Sequence, residues 1–154
     1  GADKQPIILT GKDSIAPEMY AWLKEQNLED AYFIGGNKVI SDNVINSVNE
    51  ITTNDVTANR IAGNNREETN AKVIEKLYTG GFSNVYAAKS NVLVDALSAG
   101  PMAAQRNCPV VLVNSRGLTD AQKNVLSGKY ADHVYQIGGG VSFKGMSELY
   151  SICK

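Results

Sequence analysis

Short apolar runs alternate with amphipathic segments along the whole chain. Apolar runs bounded by turn residues predict strands. They lie at Ile7–Thr10, Ala31–Ile34, Asn59–Ala62, Val85–Ala88, Val110–Val113 and His133–Ile137. Several of these runs are continuously hydrophobic, which is typical of parallel strands covered on both faces.

The segments that follow the predicted strands carry apolar residues at helical spacing. The clearest stripes are Ile15, Met19, Trp22 and Leu23 in one segment, and Val73, Ile74, Leu77 and Tyr78 in another. We interpret these stripes as core. The steady alternation of strand and helix predicts an α/β fold, with an open, mainly parallel sheet, flanking helices and right-handed crossovers.

Cap and breaker residues mark several helix boundaries. Residues placed to cap helix starts are Asn65 with Glu68, Thr119 with Gln122, and Ser41, the first two pairs resembling capping boxes. Gly100-Pro101 falls inside a helical pattern. Because proline lacks the amide donor and its ring clashes with the preceding turn, we expect a kink or two short helices there.

The chain contains an internal repeat. The segment that begins at Pro6 aligns with the one that begins at Pro109, so the two copies lie 103 residues apart. Each opens with proline and apolar residues, then has a polar loop, a helix, a strand ending in Ile-Gly-Gly and another helix. We therefore predict that residues 1–57 are the second half of one repeat and residues 58–154 a complete repeat.

Composition and charge exclude several classes of protein. The 154 residues are 43 % hydrophobic and 20 % charged, and 15 basic and 16 acidic side chains nearly cancel. No overall field attracts nucleic acid or an anionic membrane, no apolar run spans a bilayer, and no signal peptide is visible. Cys108 and Cys153 lack CxxC spacing and have only His133 as a further ligand, so we expect no structural zinc and a buried Cys108 rather than a disulfide.

Signatures of catalysis are missing from the sequence. GxSxG, the P-loop pattern and a correctly framed GxGxxG are absent. A single histidine without a neighbouring nucleophile favours a structural or surface role for His133. Asp95 and Ser98 share one helical face and serve either a ligand hydroxyl or helix packing. We expect no catalytic residue, cofactor or metal.

The loops that follow the predicted strands are the candidate binding region. They are rich in Gly, Asn, Ser, Lys and Arg, and the carboxyl ends of parallel strands are where ligands meet such sheets. Helix N-termini and arginine suit phosphate, while Asn and Ser suit sugar hydroxyls. The candidate ligand-binding residues are Arg60, Arg66, Lys89, Asp95, Ser98, Asn114 and Arg116. Ordinary capped α/β loops have the same composition, so both interpretations stay open.

Four stretches together resemble the type 2 cell-wall-binding repeat (CWB2) of Gram-positive surface-layer and cell-wall proteins. They are RIAGNNREETNAKVIEKL, NVYAAKSNVLVDALSAGPMAA, PVVLV and VYQIGGGVS. The family opens its repeat with R-x-x-G-x-[DN]-R-x-x-T-A, which Arg60, Gly63, Asn65, Arg66 and Thr69 match, while Asn70 stands just before Ala71. Its Pro-Ile-Leu-Leu strand corresponds to Pro109, Val110, Val111 and Leu112, with conservative changes, and to Pro6–Leu9 in the earlier copy.

The resemblance implies a non-catalytic, extracellular module with a Toprim-like, Rossmann-like α/β fold. Such modules anchor surface proteins non-covalently through an anionic, teichoic-acid-like wall polysaccharide, and the Pro-Ile-Leu-Leu strand is implicated in that binding. They usually occur as three copies that pack together, so other copies of the repeat are expected partners, whereas this sequence holds one and a half. Alternatives are a nucleotide- or phosphate-binding α/β protein and a structural spacer.

The two arginines of RIAGNNREET have separate expected roles. Arg60 precedes the apolar residues of a strand and is expected to brace the fold or a neighbouring copy. Arg66 falls in the first helical turn, where the helix dipole disfavours a cation. We therefore expect Arg66 to have a partner, either a carboxylate of the protein or an anionic polymer.

Overall fold

A computed structural model of the protein describes residues 5–154 as two compact units, Gln5–Ala62 and Gly63–Lys154. The N-terminal unit contains α1 (Pro17–Lys24), β1 (Phe33–Ile34), α2 (Asp42–Asn49) and β2 (Arg60–Ile61). The C-terminal unit contains α3 (Arg66–Leu77), β3 (Asn84–Lys89), α4 (Val94–Gln105), β4 (Val110–Val113), α5 (Asp120–Leu126), β5 (His133–Ile137) and α6 (Phe143–Ile152). This is the predicted α/β fold, with parallel strands in open sheets.

The sheet of the C-terminal unit has the strand order β4-β3-β5, and all pairs are parallel. From β3 the chain first crosses to β4 on one side and later to β5 on the other. All three strands therefore end at the same edge of the sheet. In open parallel sheets, ligands bind where such strand order reverses, at the carboxyl ends.

Alternate residues of β3 enter two separate cores of the C-terminal unit. One core lies under α3, α5 and α6 and includes Ile74, Val85, Ala87, Val111, Val113, Leu126 and Leu149. The other lies under α4 and includes Tyr86, Ala103 and Cys108. Because a strand with both faces buried has no polar side, β3 is apolar along its centre, as the sequence indicated.

The N-terminal unit has its own small core and a two-stranded sheet. Strands β1 and β2 pair in parallel, with Phe33 opposite Arg60 and Ile34 opposite Ile61. Phe33, Ile45, Val48 and Val56 form the core. Both strands are shorter than the apolar runs that predicted them.

The predicted strand at Ile7–Thr10 was wrong. The segment belongs to no helix or strand, and Ile7 and Leu9 are 88 % and 87 % exposed. Its counterpart in the repeat is β4, which pairs with β3. Among the described residues, no strand lies beside Ile7–Thr10 to bond its backbone, and an extended segment without a partner does not form a sheet.

Two of the three predicted caps differ in detail from expectation. Thr119 and Gln122 form the full capping box. The Asn65 side chain caps α3 at Glu68, but Glu68 bonds the amide of Asn64 rather than that of the cap residue. Ser41 stands at the N-cap of α2 without a side-chain capping bond.

Helix α4 continues through Pro101 as one helix, in place of the expected kink or pair of helices. Proline removes the amide that would bond the carbonyl of Leu97. Leu97 is 71 % exposed, so water can solvate that carbonyl. The free-energy cost of the hydrogen bond that Pro101 removes from this helix is therefore reduced.

Cys108 is buried, as expected, and Cys153 is buried too, both as free thiols. Burial raises the pKa of the Cys153 thiol. The imidazole of His133 stacks with Tyr135 at 5.9 Å between ring centroids. None of the helices between residues 5 and 154 has the length and apolar character needed to cross a membrane. Over the same range, no group of three or more His, Cys, Asp and Glu side chains could hold a metal ion.

Candidate functional site

A polar cavity of about 320 Å³ lies in the C-terminal unit, at the carboxyl ends of β3 and β4 and the first turn of α3. Its lining residues are Arg66, Glu67, Ser90, Asn91, Asn114 and Ser115. Two of the sequence-predicted residues, Arg66 and Asn114, are thus brought together. The cavity occupies the edge of the sheet at which the loop sequences predicted a ligand.

Arg66 supplies the positive charge of the cavity. Its Nη1 donates a 2.6 Å hydrogen bond to the backbone carbonyl of Ser90. No carboxylate of the described residues forms an ion pair with it. Among the described residues, Arg66 thus bonds a carbonyl and not the carboxylate that was one of its two expected partners. The carbonyl orients the guanidinium but leaves its charge without a counter-ion, beside the amides of a helix N-terminus.

The loop before α3 is held by side chains that follow it in the sequence. Thr69 Oγ1 accepts from the amide of Gly63 at 2.9 Å, and Glu68 Oε2 accepts from the amide of Asn64 at 2.8 Å. Asn65 Oδ1 accepts from the amide of Glu68. These three bonds account for Asn65, Glu68 and Thr69 without a ligand. They also fix the start of α3 at Arg66.

The opposite wall of the cavity is the turn after β4. Asn114 Oδ1 accepts from the amide of Arg116 at 2.8 Å, and Ser142 Oγ donates to the Asn114 carbonyl at 3.0 Å. Arg116 is exposed and does not line the cavity. The turn reverses at Gly117, whose φ of +101° favours glycine.

Glu148 of α6 holds this turn in place. Its Oε2 accepts from the amide of Leu118 at 2.8 Å, and its Oε1 lies 3.3 Å from Lys123 Nζ. The backbone hydrogen bond from Leu118, helped by Lys123 and Lys144, lowers the pKa of Glu148 below its ordinary value. Glu148, which lies outside the cavity, thus positions the turn that contains Asn114.

We expect Glu148→Gln to lower the free energy of unfolding at pH 7 by about 1 kcal/mol, since a charge-assisted hydrogen bond becomes a neutral one. The folded state favours the ionised carboxylate of Glu148. The stability that this carboxylate contributes is therefore complete above the ordinary pKa of 4.5. It is lost as the pH falls through the lower pKa of the folded state.

Urea denaturation of both proteins between pH 7 and pH 2.5 measures this dependence. The difference between wild type and Glu148→Gln should shrink below pH 4.5. The exposed Glu75 provides the matched control, Glu75→Gln, with little difference at any pH. If the free energies of unfolding of the wild type and Glu148→Gln differed by a constant amount down to pH 2.5, the stated role of the charge would be contradicted.

Three predicted residues do not line the cavity, and two of them, Asp95 and Lys89, lie beside the turn after β5. The Asp95 carboxylate packs so closely on Gly138 that a Cβ at that glycine would overlap it. The Lys89 side chain lies beside Gly140, and Ser98 Oγ donates to the backbone carbonyl of Asp95 at 2.9 Å. Asp95 therefore shows the packing contact that was the alternative to ligand binding, and Ser98 bonds a carbonyl of its own helix.

Arg60 lies in the N-terminal unit, where its guanidinium is surrounded by protein acceptors. Nη1 donates to the carbonyls of Gly35 at 2.8 Å and Ile40 at 2.7 Å, and Nη2 pairs with Asp42 Oδ1 at 2.9 Å. These bonds join β2 to the turn after β1 and to the start of α2. The expected bracing role of Arg60 in the fold is confirmed.

The strand motif Pro109–Leu112 forms the approach to β4 and most of that strand. Two side chains occupy its outer edge. Asn70 donates to the Val110 carbonyl at 2.8 Å and accepts from the Leu112 amide at 3.0 Å. Gln122, fully buried, donates to the Leu112 carbonyl at 2.6 Å and to Asn70 Oδ1 at 3.1 Å. The backbone edge of the motif is therefore satisfied by the protein itself.

Sequence reasoning missed the role of Asn70 and saw Gln122 only as a helix cap. The available signal was a polar residue directly before Ala71, on a helix face that continues as apolar residues. A half-buried amide in that position requires partners, and an unpaired strand edge supplies them.

The fold and the cavity together define an α/β binding module built from a repeated βα unit. Residues 60–144 match the family described as Cell wall binding domain 2 (CWB2). The chain belongs to this family, as the sequence motifs predicted. It therefore carries a cell-wall-binding domain, which places its function at the cell wall or cell surface.

Solved structures and a curated relative agree with this assignment. Cwp6 from Clostridium difficile is 39 % identical with a TM-score of 0.88, over 100 % of this chain and 24 % of Cwp6. Cwp8 from the same organism is 33 % identical with a TM-score of 0.79, over 96 % of this chain and 25 % of Cwp8. The N-acetylmuramoyl-L-alanine amidase LytC of Bacillus subtilis (strain 168) is 27 % identical over 146 residues, which are 94 % of this chain and 28 % of the amidase. The chain thus spans 24–28 % of the length of these relatives.

Proposed function

We propose that this chain is a non-catalytic module that anchors a surface protein by binding an anionic, teichoic-acid-like wall polysaccharide. The observation that carries the proposal is the Arg66 guanidinium, which lines the cavity without a carboxylate partner. A phosphate of the polymer would supply the missing counter-charge. Bidentate donation by arginine and the amides at the start of α3 suit such a group.

The other lining residues suit the sugar part of the polymer. Asn91, Asn114 and Ser115 offer amide and hydroxyl groups that both donate and accept hydrogen bonds. Glu67 lines the same cavity and, as an acceptor, suits sugar hydroxyls rather than phosphate. Separate places for an anionic group and for hydroxyls favour a phosphate-bearing glycan over a simple anion.

A role without catalysis is supported by the side chains at the cavity. Its lining contains no histidine or cysteine, and His133 begins β5, at the end of the sheet opposite the cavity. In the amidase relative, this chain corresponds to 28 % of the protein. We propose that effector activities reside in other parts of such surface proteins and that this module holds them, extracellularly, to the wall or surface layer.

We expect Arg66→Gln to weaken retention on purified wall polysaccharide by roughly tenfold, the effect of one charge-assisted contact to an anionic group. Arg106→Gln is the matched control, since it removes the same charge from an exposed residue outside the cavity. Binding is measured by co-sedimentation with the polymer between 20 and 500 mM salt, because released counter-ions and screened charges make such affinity salt-dependent.

Three outcomes would overturn the proposed site, ligand or function. Equal retention of Arg66→Gln and the wild-type protein would show that the cavity does not bind the polysaccharide. That result would favour a structural spacer. Retention that does not change with salt would show that an anionic polymer is not the ligand. A nucleotide that raises the melting temperature where the wall polymer does not would favour a nucleotide-binding protein.

A further inference from the structure

Glu67 is a buried carboxylate that the fold itself does not use. It is the second residue of α3, is only 9 % exposed, and is the one buried charged residue among the described residues. No hydrogen bond or ion pair joins its carboxylate to another group between residues 5 and 154. The protein therefore buries a charge without supplying a partner, an arrangement that costs free energy unless a ligand completes it.

The start of the helix does not account for the burial of Glu67. A carboxylate in the first turn interacts favourably with the helix dipole, but it does so at an exposed position as well. Glu68, in the same turn, is only partly buried and accepts from the amide of Asn64 at 2.8 Å. The two neighbouring glutamates thus differ, since one has a partner in the loop and the other has none.

The carboxylate oxygens of Glu67 open into the cavity. Among the described residues, Ser41 Oγ is the only fully enclosed polar side-chain atom without a partner. The Glu67 oxygens also lack a partner, so they are not fully enclosed and remain accessible where the residue lines the cavity. A ligand in the cavity can therefore reach them.

Arg66 and Glu67 bring opposite charges to one cavity without pairing with each other. The guanidinium is held by the Ser90 carbonyl at 2.6 Å, and the two side chains form no ion pair. A phosphate at Arg66 would lie near the second negative charge, which is screened less than an exposed charge because it is buried. Hydrogen bonds donated by the ligand to Glu67 would offset this repulsion.

We propose that Glu67 is the specificity-determining residue of the cavity and selects a phosphate that is attached to a hydroxyl-bearing sugar. Two adjacent sugar hydroxyls can donate to the two oxygens of one carboxylate. A phosphate ester without hydroxyls leaves Glu67 unpaired and places a like charge beside it. Specificity then combines an attractive contact to one ligand with a repulsive contact to the other. This inference rests on the proposed function, since it places the phosphate at Arg66.

The test compares the binding of two small phosphates to the whole chain. α-D-Glucose 1-phosphate carries its phosphate beside sugar hydroxyls, whereas methyl phosphate has no hydroxyl. At pH 8 both are dianions with no proton to donate from the phosphate. NMR titration of the backbone amides of Ser90, Asn91 and Ser115 gives the dissociation constants. We expect the wild-type protein to bind glucose 1-phosphate at least about tenfold more tightly than methyl phosphate.

Glu67→Gln should change the two affinities in opposite directions. Glucose 1-phosphate should bind about fivefold more weakly, because its hydrogen bonds to a charged acceptor become bonds to a neutral one. Methyl phosphate should bind about threefold more tightly, because a like charge beside it is removed. A damaged fold would weaken both ligands, so the opposite signs separate specificity from structure. The melting temperature of Glu67→Gln should stay close to that of the wild type, because no group of the protein loses a partner.

Glu75→Gln is the matched control, since it removes the same charge from an exposed position of the same helix. It should leave both affinities unchanged. The proposal is overturned if the wild-type protein binds neither phosphate or binds both equally. It is also overturned if Glu67→Gln changes both affinities in the same direction, or changes neither.

Arg66→Gln separates this inference from the proposed function, and it should weaken the binding of both phosphates. If it does so while Glu67→Gln leaves the ratio of the two affinities unchanged, the anion site stands and the role of Glu67 is refuted. If Glu67→Gln shows the two opposite changes but retention on wall polysaccharide does not depend on Arg66, the sugar-phosphate specificity is supported and anchoring through this cavity is refuted.

Discussion

Gln122→Leu should lower the free energy of unfolding of the C-terminal unit by about 3 kcal/mol, since the Leu112 carbonyl and the Thr119 amide lose their partner at about 1.5 kcal/mol each. The Gln122 amide group donates to the Leu112 carbonyl and to Asn70, and its oxygen accepts from the amide of Thr119 at 3.0 Å. Leucine fills nearly the same volume, so packing changes little. The loss therefore measures hydrogen bonding rather than a cavity.

The measurement is urea denaturation followed by circular dichroism, with exchange of the β3 amides reporting this unit. Gln105→Leu, the same change at an exposed residue that ends α4, is the control and should alter stability by less than about 0.5 kcal/mol. Asn70→Ala should resemble Gln122→Leu, because it uncovers the same strand edge. Similar stability for Gln122→Leu and Gln105→Leu would contradict the stated role of this side-chain pair.

Gly63→Ala should also cost about 3 kcal/mol, at the upper end of ordinary overpacking. A Cβ at Gly63 would overlap Glu68 Cβ and lie 2.7 Å from the carbonyl carbon of Glu68 and 2.8 Å from the Thr69 amide nitrogen. Two of these atoms are helix backbone and cannot turn aside. The loop would have to leave α3 and lose its bonds to Thr69 and Glu68.

Gly81→Ala is the matched control for this change, since a Cβ there meets nothing within 4 Å. Thermal unfolding of the two variants beside the wild-type protein gives the comparison. Gly63→Ala should also weaken polysaccharide retention, because the loop it disturbs fixes the start of Arg66. Unchanged stability would show that the loop adapts and that glycine is dispensable in the repeat's opening motif.

Local patterns in the sequence determined the order of elements in the C-terminal unit. Apolar runs predicted β4 and β5 with their observed bounds, and the capping box at Thr119 formed as expected. These features depend on neighbours a few residues away, so periodicity and cap residues suffice. The failed strand at Ile7–Thr10 shows the limit, because its sequence resembles β4 but a strand also needs a partner.

The candidate site was foreseen as a region and not as a set of residues. The loops at the strand ends pointed to Arg66 and Asn114, but Arg60, Lys89 and Asp95 are held elsewhere by contacts that no local pattern shows. Ser90 lies in one of the loops that follow the predicted strands, whereas Glu67 lines the cavity without a sequence signal. Loops that follow parallel strands are predicted to lie at the same edge of the sheet. The direction in which each of their side chains points depends on tertiary packing.

By itself, the sequence determined the α/β class, the repeat and the cell-wall-binding family, because each rests on patterns within single repeat units. Only the tertiary structure decided which polar groups are bonded within the fold. Asn70 and Gln122 lie 52 residues apart yet share one bond, and Arg66 meets Ser90 across 24 residues. Such pairings follow from strand order and crossover, which bring distant residues together and give these polar groups their partners.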